Sequence, residues 1–205
     1  MLTFLTAGII LGLSAGVAPG PLLALVVSET LRHDIKAGVK VALAPILTDL
    51  PIILLTLFTL AKLARFHIFL GVVSVIGACF IFYLGIRNTT TRGADIAENT
   101  GTRKSLQKGI LVNALSPHPY LFWFSVGAPT TIKALELNMA AAASFVLSFY
   151  VLLVGSKIVL AIMVGKSRSF LNGNTYINIM RLLGVILILF AVFLFRDGLH
   201  LLGLI

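Results

Sequence analysis

One carboxylate and one ammonium group lie in the middle of otherwise apolar stretches of this sequence. Asp49 lies in APILTDLPI, and Lys157 lies in LLVGSKIVLAI. A charged group at the centre of a bilayer costs about 2.5–3.5 kcal/mol on insertion scales, so it normally faces protein or water and serves a function there. Asp49 is therefore a candidate cation or proton site, and the alternative is a structural carboxylate that is protonated or paired with lysine. Lys157 is a candidate counter-ion for Asp49 or for a bound carboxylate, unless its long stem reaches the cytoplasmic surface.

Two groups of prolines interrupt apolar stretches that are 98 residues apart. The first is Pro19-Gly20-Pro21, and the second is Pro117-His118-Pro119. An interior proline removes a backbone hydrogen bond and clashes with the preceding turn. In hydrocarbon the freed carbonyl groups need other partners, so broken helices occur where they line a cavity or are enclosed by protein. One proline alone would indicate a kink, whereas two matching interruptions predict a binding site.

The first interruption predicts a half-helix that begins at about Pro21, because proline suits the first helical position. The N–H groups and the dipole at that helix start would face the bilayer midplane, where they can bind an anion such as a carboxylate. Asp49 can bind an ammonium group. We therefore expect a receptor for a zwitterion, formed by Pro19, Gly20, Pro21 and Asp49.

Three further polar residues near the second interruption are candidate site residues. Asn113 and Ser116 can form hydrogen bonds between helices, although a packing role is equally compatible with their positions. His118 can exchange a proton near neutral pH or bind a freed carbonyl group. Pro117 completes the predicted second interruption.

The composition is that of a membrane protein without enzymatic groups. Of 205 residues, 59% are hydrophobic and 11% are charged, and the mean hydropathy is +1.06, whereas soluble domains carry about 25% charged residues. The net charge of +9 is scattered between apolar stretches, so no nucleic-acid partner is predicted.

The residues that enzymes commonly use do not form a catalytic pattern here. Cys79 is the only cysteine, which excludes a dithiol electron carrier, and no Ser/His or paired-Asp arrangement indicates hydrolysis. We predict no enzyme activity, no cofactor and no bound metal.

The hydropathy pattern predicts six membrane spans, since a span needs about 20 apolar residues. The predicted spans are residues 4–28, 38–61, 67–86, 106–128, 138–164 and 177–195. With a helical rise of about 1.5 Å per residue, Gly20, Asp49 and His118 lie roughly 12, 16 and 17 Å from the cytoplasmic ends of their spans. All three residues are thus expected near the middle of the bilayer.

The fold class predicted is an all-α integral membrane protein that forms one membrane domain over residues 1–205. Three spans per half force the second half to enter the membrane from the opposite side, which gives an inverted 3+3 repeat of the kind found in many secondary transporters. The first repeat covers about 1–87, and the second covers about 106–197. A cytoplasmic linker covers about 88–105, and a short apolar tail covers 198–205.

Positive charges predict the orientation in the membrane. Four of the 16 Lys and Arg residues lie on one predicted side, and Lys157 lies within a span. Eleven lie on the other side, after the first, third and fifth spans: Arg32, Lys36, Lys40, Arg87, Arg92, Arg103, Lys104, Lys108, Lys166, Arg168 and Arg181. Because positive charges favour the cytoplasm, both termini are expected outside.

Several of these segments together resemble the LysE-type translocators, a family that includes the lysine exporters and the homoserine/threonine exporters. The resemblance rests on the Pro-Gly-Pro unit, on Asp49 in the second span, and on three longer segments. These are FYLGIR (82–87), GILVNALSP (109–117) and RLLGVILILF (181–190). It implies a homodimer with six spans per chain that exports amino acids or related metabolites across the cytoplasmic (inner) membrane, driven by the proton motive force.

The chain departs from the family pattern within the predicted site. Members typically carry Asn-Pro-Lys where this chain has Ser116-Pro117-His118, and Pro119 is additional. A glycine that usually precedes the aspartate is replaced in the region of Ala44 and Pro45. The cargo therefore does not carry over from the family. The alternative cargo is a divalent metal ion, since relatives of this architecture export such ions, but metal sites usually combine several His, Cys or carboxylate ligands.

Overall fold

The structure is a computed structural model that describes residues 1–59, 63–90, 102–167 and 173–204. Within these ranges the chain is helical and contains no strand. The helices are α1 (Leu2–Val17), α2 (Pro21–Arg32), α3 (Ile35–Ala42), α4 (Ala44–Thr59), α5 (Leu63–Thr89), α6 (Thr102–Ala114), α7 (Pro117–Phe122), a π-helix (Trp123–Gly127), α8 (Ala128–Leu137), α9 (Met139–Ser167) and α10 (Gly173–Leu201).

Four of the described segments are long and apolar enough to cross a membrane. These are Ile35–Leu54, which combines α3 with part of α4, and Ile68–Thr89, Met139–Ser167 and Asn174–Leu201. The pair α1 and α2 makes a fifth if it is counted as one bent span. The protein is thus an all-α, multi-pass membrane protein, and the count of six spans stays a prediction.

The chain is interrupted close to both predicted positions. Helix α1 ends at Val17 and α2 begins at Pro21, with a bend of 61° between them. Gly20 between them is extended, with φ −174° and ψ 174°. Helix α6 ends at Ala114 and α7 begins at Pro117, with Ser116 in the β region. This second interruption precedes Pro117, because proline occupies the first position of the new helix.

Several boundaries differ from the sequence-based prediction. The predicted fourth span, 106–128, is divided among α6, α7, the π-helix and α8. The predicted linker begins too early and ends too late, since α5 extends through Thr89 and α6 begins at Thr102. Residues 91–101 of that linker, and the end of the second predicted span, lie outside the described residues. Residues 198–201 of the predicted tail continue α10, because no helix breaker precedes them.

Helices α1 and α9 pack at close range along a row of glycines. Gly8, Gly12 and Gly16 are the buried residues of α1, and they recur every four residues, which places them on one face of the helix. A Cβ atom at Gly12 would overlap the backbone of Phe149 in α9. Small residues of this spacing allow two membrane helices to approach closely, so the backbone at the end of α1 lies next to α9.

Helix α2 lies at the centre of the molecule. Ala24, Leu25 and Val26 are nearly inaccessible to solvent. They belong to the largest apolar cluster, whose other members come from five helices: Val41 and Ala42 in α3, Ala78, Ile81 and Leu84 in α5, Val112 in α6, Ala161 in α9, and Leu187, Ala191 and Leu194 in α10. This packing fixes α2 so that its first turn faces the site described next.

Candidate functional site

A cavity of about 500 Å³ lies between the two interruptions. All the predicted site residues except Pro117 line it: Pro19, Gly20, Pro21, Asp49, Asn113, Ser116, His118 and Lys157. Pro117 is buried as the first residue of α7. Residues from α1, α2, α4, α6, α7, α9 and α10 contribute to the wall. The structure thus brings together predicted site residues that are up to 138 positions apart in the sequence, from Pro19 to Lys157.

Asp49 is held by uncharged hydrogen-bond donors from three helices. The Asn113 side-chain amide donates to Asp49 Oδ1 at 2.8 Å, and the Thr48 hydroxyl donates to the same oxygen at 3.3 Å. The Tyr150 hydroxyl donates to Asp49 Oδ2 at 3.2 Å. Asp49 is 3% exposed, and it forms no ion pair with a lysine in the described part of the chain. The alternative of a lysine-paired carboxylate is therefore wrong.

An aromatic wall adjoins Asp49. Phe122 and Phe149 line the cavity, and their rings stack with centroids 4.8 Å apart. Trp123 stacks on Tyr150 with centroids 6.2 Å apart. Trp123 begins the π-helix, and a Cβ atom at Gly127 would overlap its ring. A π-helical turn of this kind is rare and often marks a functional site.

Lys157 binds the end of α1. Its ammonium group donates to the carbonyl oxygens of Ala15 and Gly16 at 3.1 and 3.0 Å. The side chain is 3% exposed, so two of the three earlier interpretations need correction. Lys157 neither reaches the cytoplasmic surface nor forms an ion pair with Asp49, because the carbonyl groups freed at the first interruption are closer partners. Its role as a counter-ion for a bound carboxylate stays a prediction.

The second interruption is satisfied by residues of its own segment. The Tyr120 hydroxyl donates to the carbonyl oxygen of Ala114 at 2.8 Å, and the N–H group of Ser116 donates to the carbonyl oxygen of Asn113 at 3.2 Å. His118 Nδ1 lies 3.3 Å from the Ser116 hydroxyl. The partner of a freed carbonyl group is thus Tyr120, and binding of such a group by His118 is not observed in the described contacts. Proton exchange by His118 stays a prediction.

The first turn of α2 faces the cavity through Pro21, Leu22 and Leu23. No side chain caps this helix start, and Gly20 has none to offer. The first N–H groups of a helix have no partner within the helix. The turn therefore presents backbone donors and a positive dipole end to the same cavity that Asp49 lines.

Sequence reasoning missed a buried ionic cluster at the other end of α2. Glu29 is 3% exposed. Its carboxylate accepts hydrogen bonds from Lys108 and Ser105 of α6, each at 2.5 Å, and lies 3.7 Å from His33 Nε2. The spacing within α2 gives no signal for the two hydrogen-bond donors, because Ser105 and Lys108 lie on α6.

Three other residues were missed. Tyr150 and Thr48 bind Asp49, and an aromatic or hydroxyl residue in an apolar helix is too common to indicate such a role. Asp197 lines the cavity from α10. It follows Phe190, Phe193 and Leu194 on the same helix face, a spacing that could have indicated that all four residues share one surface.

The described residues contain no group of three or more His, Cys, Asp or Glu side chains that could hold a metal ion. Asp49 and His118 both line the cavity, and they come from α4 and α7. The described site therefore combines the buried carboxylate of Asp49, an ammonium group bound to carbonyl oxygens and the first turn of α2. Further polar side chains in its wall are Asn113, Ser116, His118 and Asp197.

Comparison with known proteins identifies one family. The model of the family described as LysE type translocator matches residues 13–198, which include both interruptions and every residue of the site. No curated protein and no solved structure matches the chain.

Proposed function

Since the chain belongs to the LysE type translocator family, we propose that it is a secondary transporter that exports amino acids or related small metabolites across the cytoplasmic membrane, driven by the proton motive force. Membership in this family implies membrane export of amino acids or related compounds. The proposal concerns what the cargo is, what drives its export, and which residues bind the cargo and the proton. It requires that the chain is a transporter and not an enzyme.

The observation that carries the proposal is the shared cavity. A helix start without a side-chain cap and a buried carboxylate line the same space of about 500 Å³. Pockets of roughly 300–1,000 Å³ hold small molecules. A cavity with a donor-rich end and an acidic residue, enclosed by membrane helices, is suited to a zwitterion.

We assign the two charged groups of the cargo to opposite partners. The carboxylate binds at the first turn of α2, which follows the Pro19-Gly20-Pro21 unit. Proline has no N–H group, so the donors there are the backbone N–H groups of Leu22 and Leu23, which line the cavity. The ammonium group binds Asp49, which Asn113 and Tyr150 hold in place. Ser116 and His118 line the cavity near the second interruption, where they contact the remainder of the cargo.

Proton coupling is assigned to Asp49 as well. A carboxylate that binds either a proton or an ammonium group can exchange one for the other, which couples export of the cargo to uptake of a proton. The hydrogen-bond donors of Asp49 are uncharged side chains, so no ion pair in direct contact with the carboxylate has to break before an ammonium group or a proton binds.

The pairing of helices supports the inverted repeat. Helix α5 packs against α10, and α1 packs against α9. The segments of the predicted fourth span, α6, α7 and the π-helix, pack against α4, and α6 also packs against α3. An inverted repeat equates the first span with the fourth and the fifth span with the second. The contact of the first span with the fifth (α1 with α9) then corresponds to the contact of the fourth span with the second (α6 and α7 with α4).

We further propose that both termini lie outside and that the chain forms a homodimer.

The test uses cells that are fed dipeptides, with and without this protein, followed by analysis of the amino acids in the medium. We expect one amino acid or a related group to accumulate outside only when the intact protein is present. Asp49→Asn should be inserted normally and should export about tenfold less or worse, since a hydrogen bond to a charged group is worth about 1.5–3 kcal/mol.

Glu136→Gln is the matched control, because Glu136 is an exposed carboxylate on α8 and its neutralisation should leave export unchanged. Full export by Asp49→Asn at normal abundance would show that this residue binds neither the cargo nor the proton. If the medium does not change but tolerance of cadmium or nickel does, the cargo is a divalent metal ion.

A further inference from the structure

Proline and glycine leave two carbonyl groups of α1 without their helical donors. In an α-helix the carbonyl of residue i accepts from the N–H group of residue i+4. The donor for Ala15 would be Pro19, which has no N–H group. The donor for Gly16 would be Gly20, which is extended and lies outside α1. Both carbonyl groups lie inside a membrane domain, where freed carbonyl groups need partners from the protein or from water in a cavity.

Lys157 supplies both missing donors at once. Its ammonium group lies 3.1 Å from the carbonyl oxygen of Ala15 and 3.0 Å from that of Gly16. The close packing of α1 on α9 makes this reach possible, because Gly16 brings the α1 backbone next to α9. A cation at a helix C-terminus also complements the negative end of the helix dipole.

The second interruption shows why a lysine is needed only at the first. Asn113 lies four residues before Pro117, as Ala15 lies four residues before Pro19. The carbonyl group of Asn113 accepts from Ser116, and that of Ala114 accepts from Tyr120. These donors belong to the same segment, whereas the described contacts of Ala15 and Gly16 come from a helix 140 residues away.

We propose that Lys157 is the positioning residue of the first interruption: its ammonium group holds the end of α1 and thereby sets the direction in which the first turn of α2 faces the cavity. The inference deepens the proposed function, because this turn is the one to which we assign the cargo carboxylate. Lys157 is not required to touch the cargo. Its charge acts on the backbone of α1.

The test measures the backbone at the interruption directly and needs no cargo. Ala18 is exposed and lines the cavity, so Ala18→Cys in a Cys79→Ser background provides one thiol at the interruption. Its rate of reaction with a water-soluble maleimide is measured in purified, detergent-solubilised protein. Lys157→Met, which keeps the stem and removes the charge, should react severalfold faster. Lys157→Arg should react at nearly the parent rate, because guanidinium also donates N–H groups.

Two controls separate positioning from general loosening of the fold. Lys133→Met removes an exposed ammonium group on α8 and should leave the reaction rate unchanged. Lys157→Ala should react slowly again in ethylammonium chloride, which supplies an ammonium group with N–H donors. Tetramethylammonium chloride at the same concentration has no N–H donor and should not slow the reaction.

An unchanged rate in Lys157→Met, or equal effects of the two salts, overturns the inference. The Met and Ala variants could fail to be recovered as single species. In that case we expect Lys157→Ala to be recovered in ethylammonium chloride but not in tetramethylammonium chloride. Failure in both salts also overturns the inference. The dipeptide experiment is separate. If no amino acid accumulates in the medium, the proposed cargo is wrong but the labelling result still holds. If the labelling rate does not change, the inference about Lys157 is wrong but the export result still holds.

Discussion

The hydrogen-bond partners of Asp49 leave the charge of its carboxylate uncompensated. Asn113 and Thr48 occupy Oδ1, and Tyr150 occupies Oδ2. All three donors are neutral, so they orient the carboxylate without cancelling its charge. The site is therefore prepared for a cation of small size, which is the role that the proposed mechanism gives to an ammonium group or a proton.

Lys157 and Asp49 are both bound by uncharged groups, but the groups differ in kind. Lys157 directs its ammonium group to two backbone carbonyl oxygens, whereas the described hydrogen bonds of Asp49 come from side chains. The sequence predicted that both residues are functional, because charges are expensive within apolar helices. It could not assign the partner of Lys157, since that assignment depends on the close approach of α1 to α9.

The cluster around Glu29 predicts a large effect for a single change at the residue scale. Lys108→Met leaves the buried carboxylate of Glu29 without its cation, and breaking a buried pair on one side typically costs about 3–5 kcal/mol. We expect a marked fall in the unfolding midpoint of the purified protein, followed by the fluorescence of Trp123, the only tryptophan.

The double variant Glu29→Gln with Lys108→Met is the control for this effect. It removes both charges, so most of the lost stability should return, and the thermodynamic cycle gives the energy of the pair. If the double variant is as unstable as Lys108→Met alone, the ion pair contributes little and the loss reflects packing around Lys108.

At the scale of helices, the sequence indicates where helical hydrogen bonding stops but not the geometry that follows. Proline lacks an N–H group, so Pro19 and Pro117 predict where hydrogen bonding stops. The bend of 61° after α1 depends on packing of α2 in the core, and the division of the predicted fourth span depends on Trp123, whose ring folds over Gly127. These contacts involve residues that no local pattern connects.

The glycine row of α1 predicts the effect of one methyl group. Gly12→Ala places a Cβ atom against the backbone of Phe149, and backbone cannot rotate away as a side chain can. Overpacking of this kind costs about 1–3 kcal/mol, so the unfolding midpoint should fall and export should fall with it. The measurement is thermal unfolding in detergent together with protein abundance in membranes.

Gly155→Ala is the matched control for Gly12→Ala. Gly155 lies on α9, and a Cβ atom there would meet nothing within 4 Å. Because alanine favours helix more than glycine does, by roughly 0.5–1 kcal/mol, this variant should be as stable as the parent or slightly more stable. A Gly12→Ala protein that matches Gly155→Ala in stability would show that α1 and α9 have room to move apart.

At the scale of the whole molecule, two features lie at opposite ends of α2. The cavity contacts its first turn, and the Glu29 cluster ties its last turn to α6. The cavity also extends along α10 as far as Asp197. Composition and spacing predicted an all-α membrane protein with a polar centre. They could not predict the Glu29 cluster or the position of Asp197, because both residues lie near helix ends, where charged side chains are ordinary.

The orientation of the whole molecule predicts which side of the membrane reaches Asp197. The positive-charge rule places both termini outside, and Asp197 lies near the C-terminal end of α10 with an exposed side chain. In a Cys79→Ser background, Asp197→Cys should therefore react with a membrane-impermeant maleimide in intact cells.

Lys104→Cys tests the opposite side of the membrane, because Lys104 is exposed near the start of α6 and belongs to the predicted cytoplasmic charges. It should react only after the cells are permeabilised. The opposite pattern would reverse the orientation, so that the cavity along α10 would open to the cytoplasm and the Glu29 cluster would lie at the outer surface.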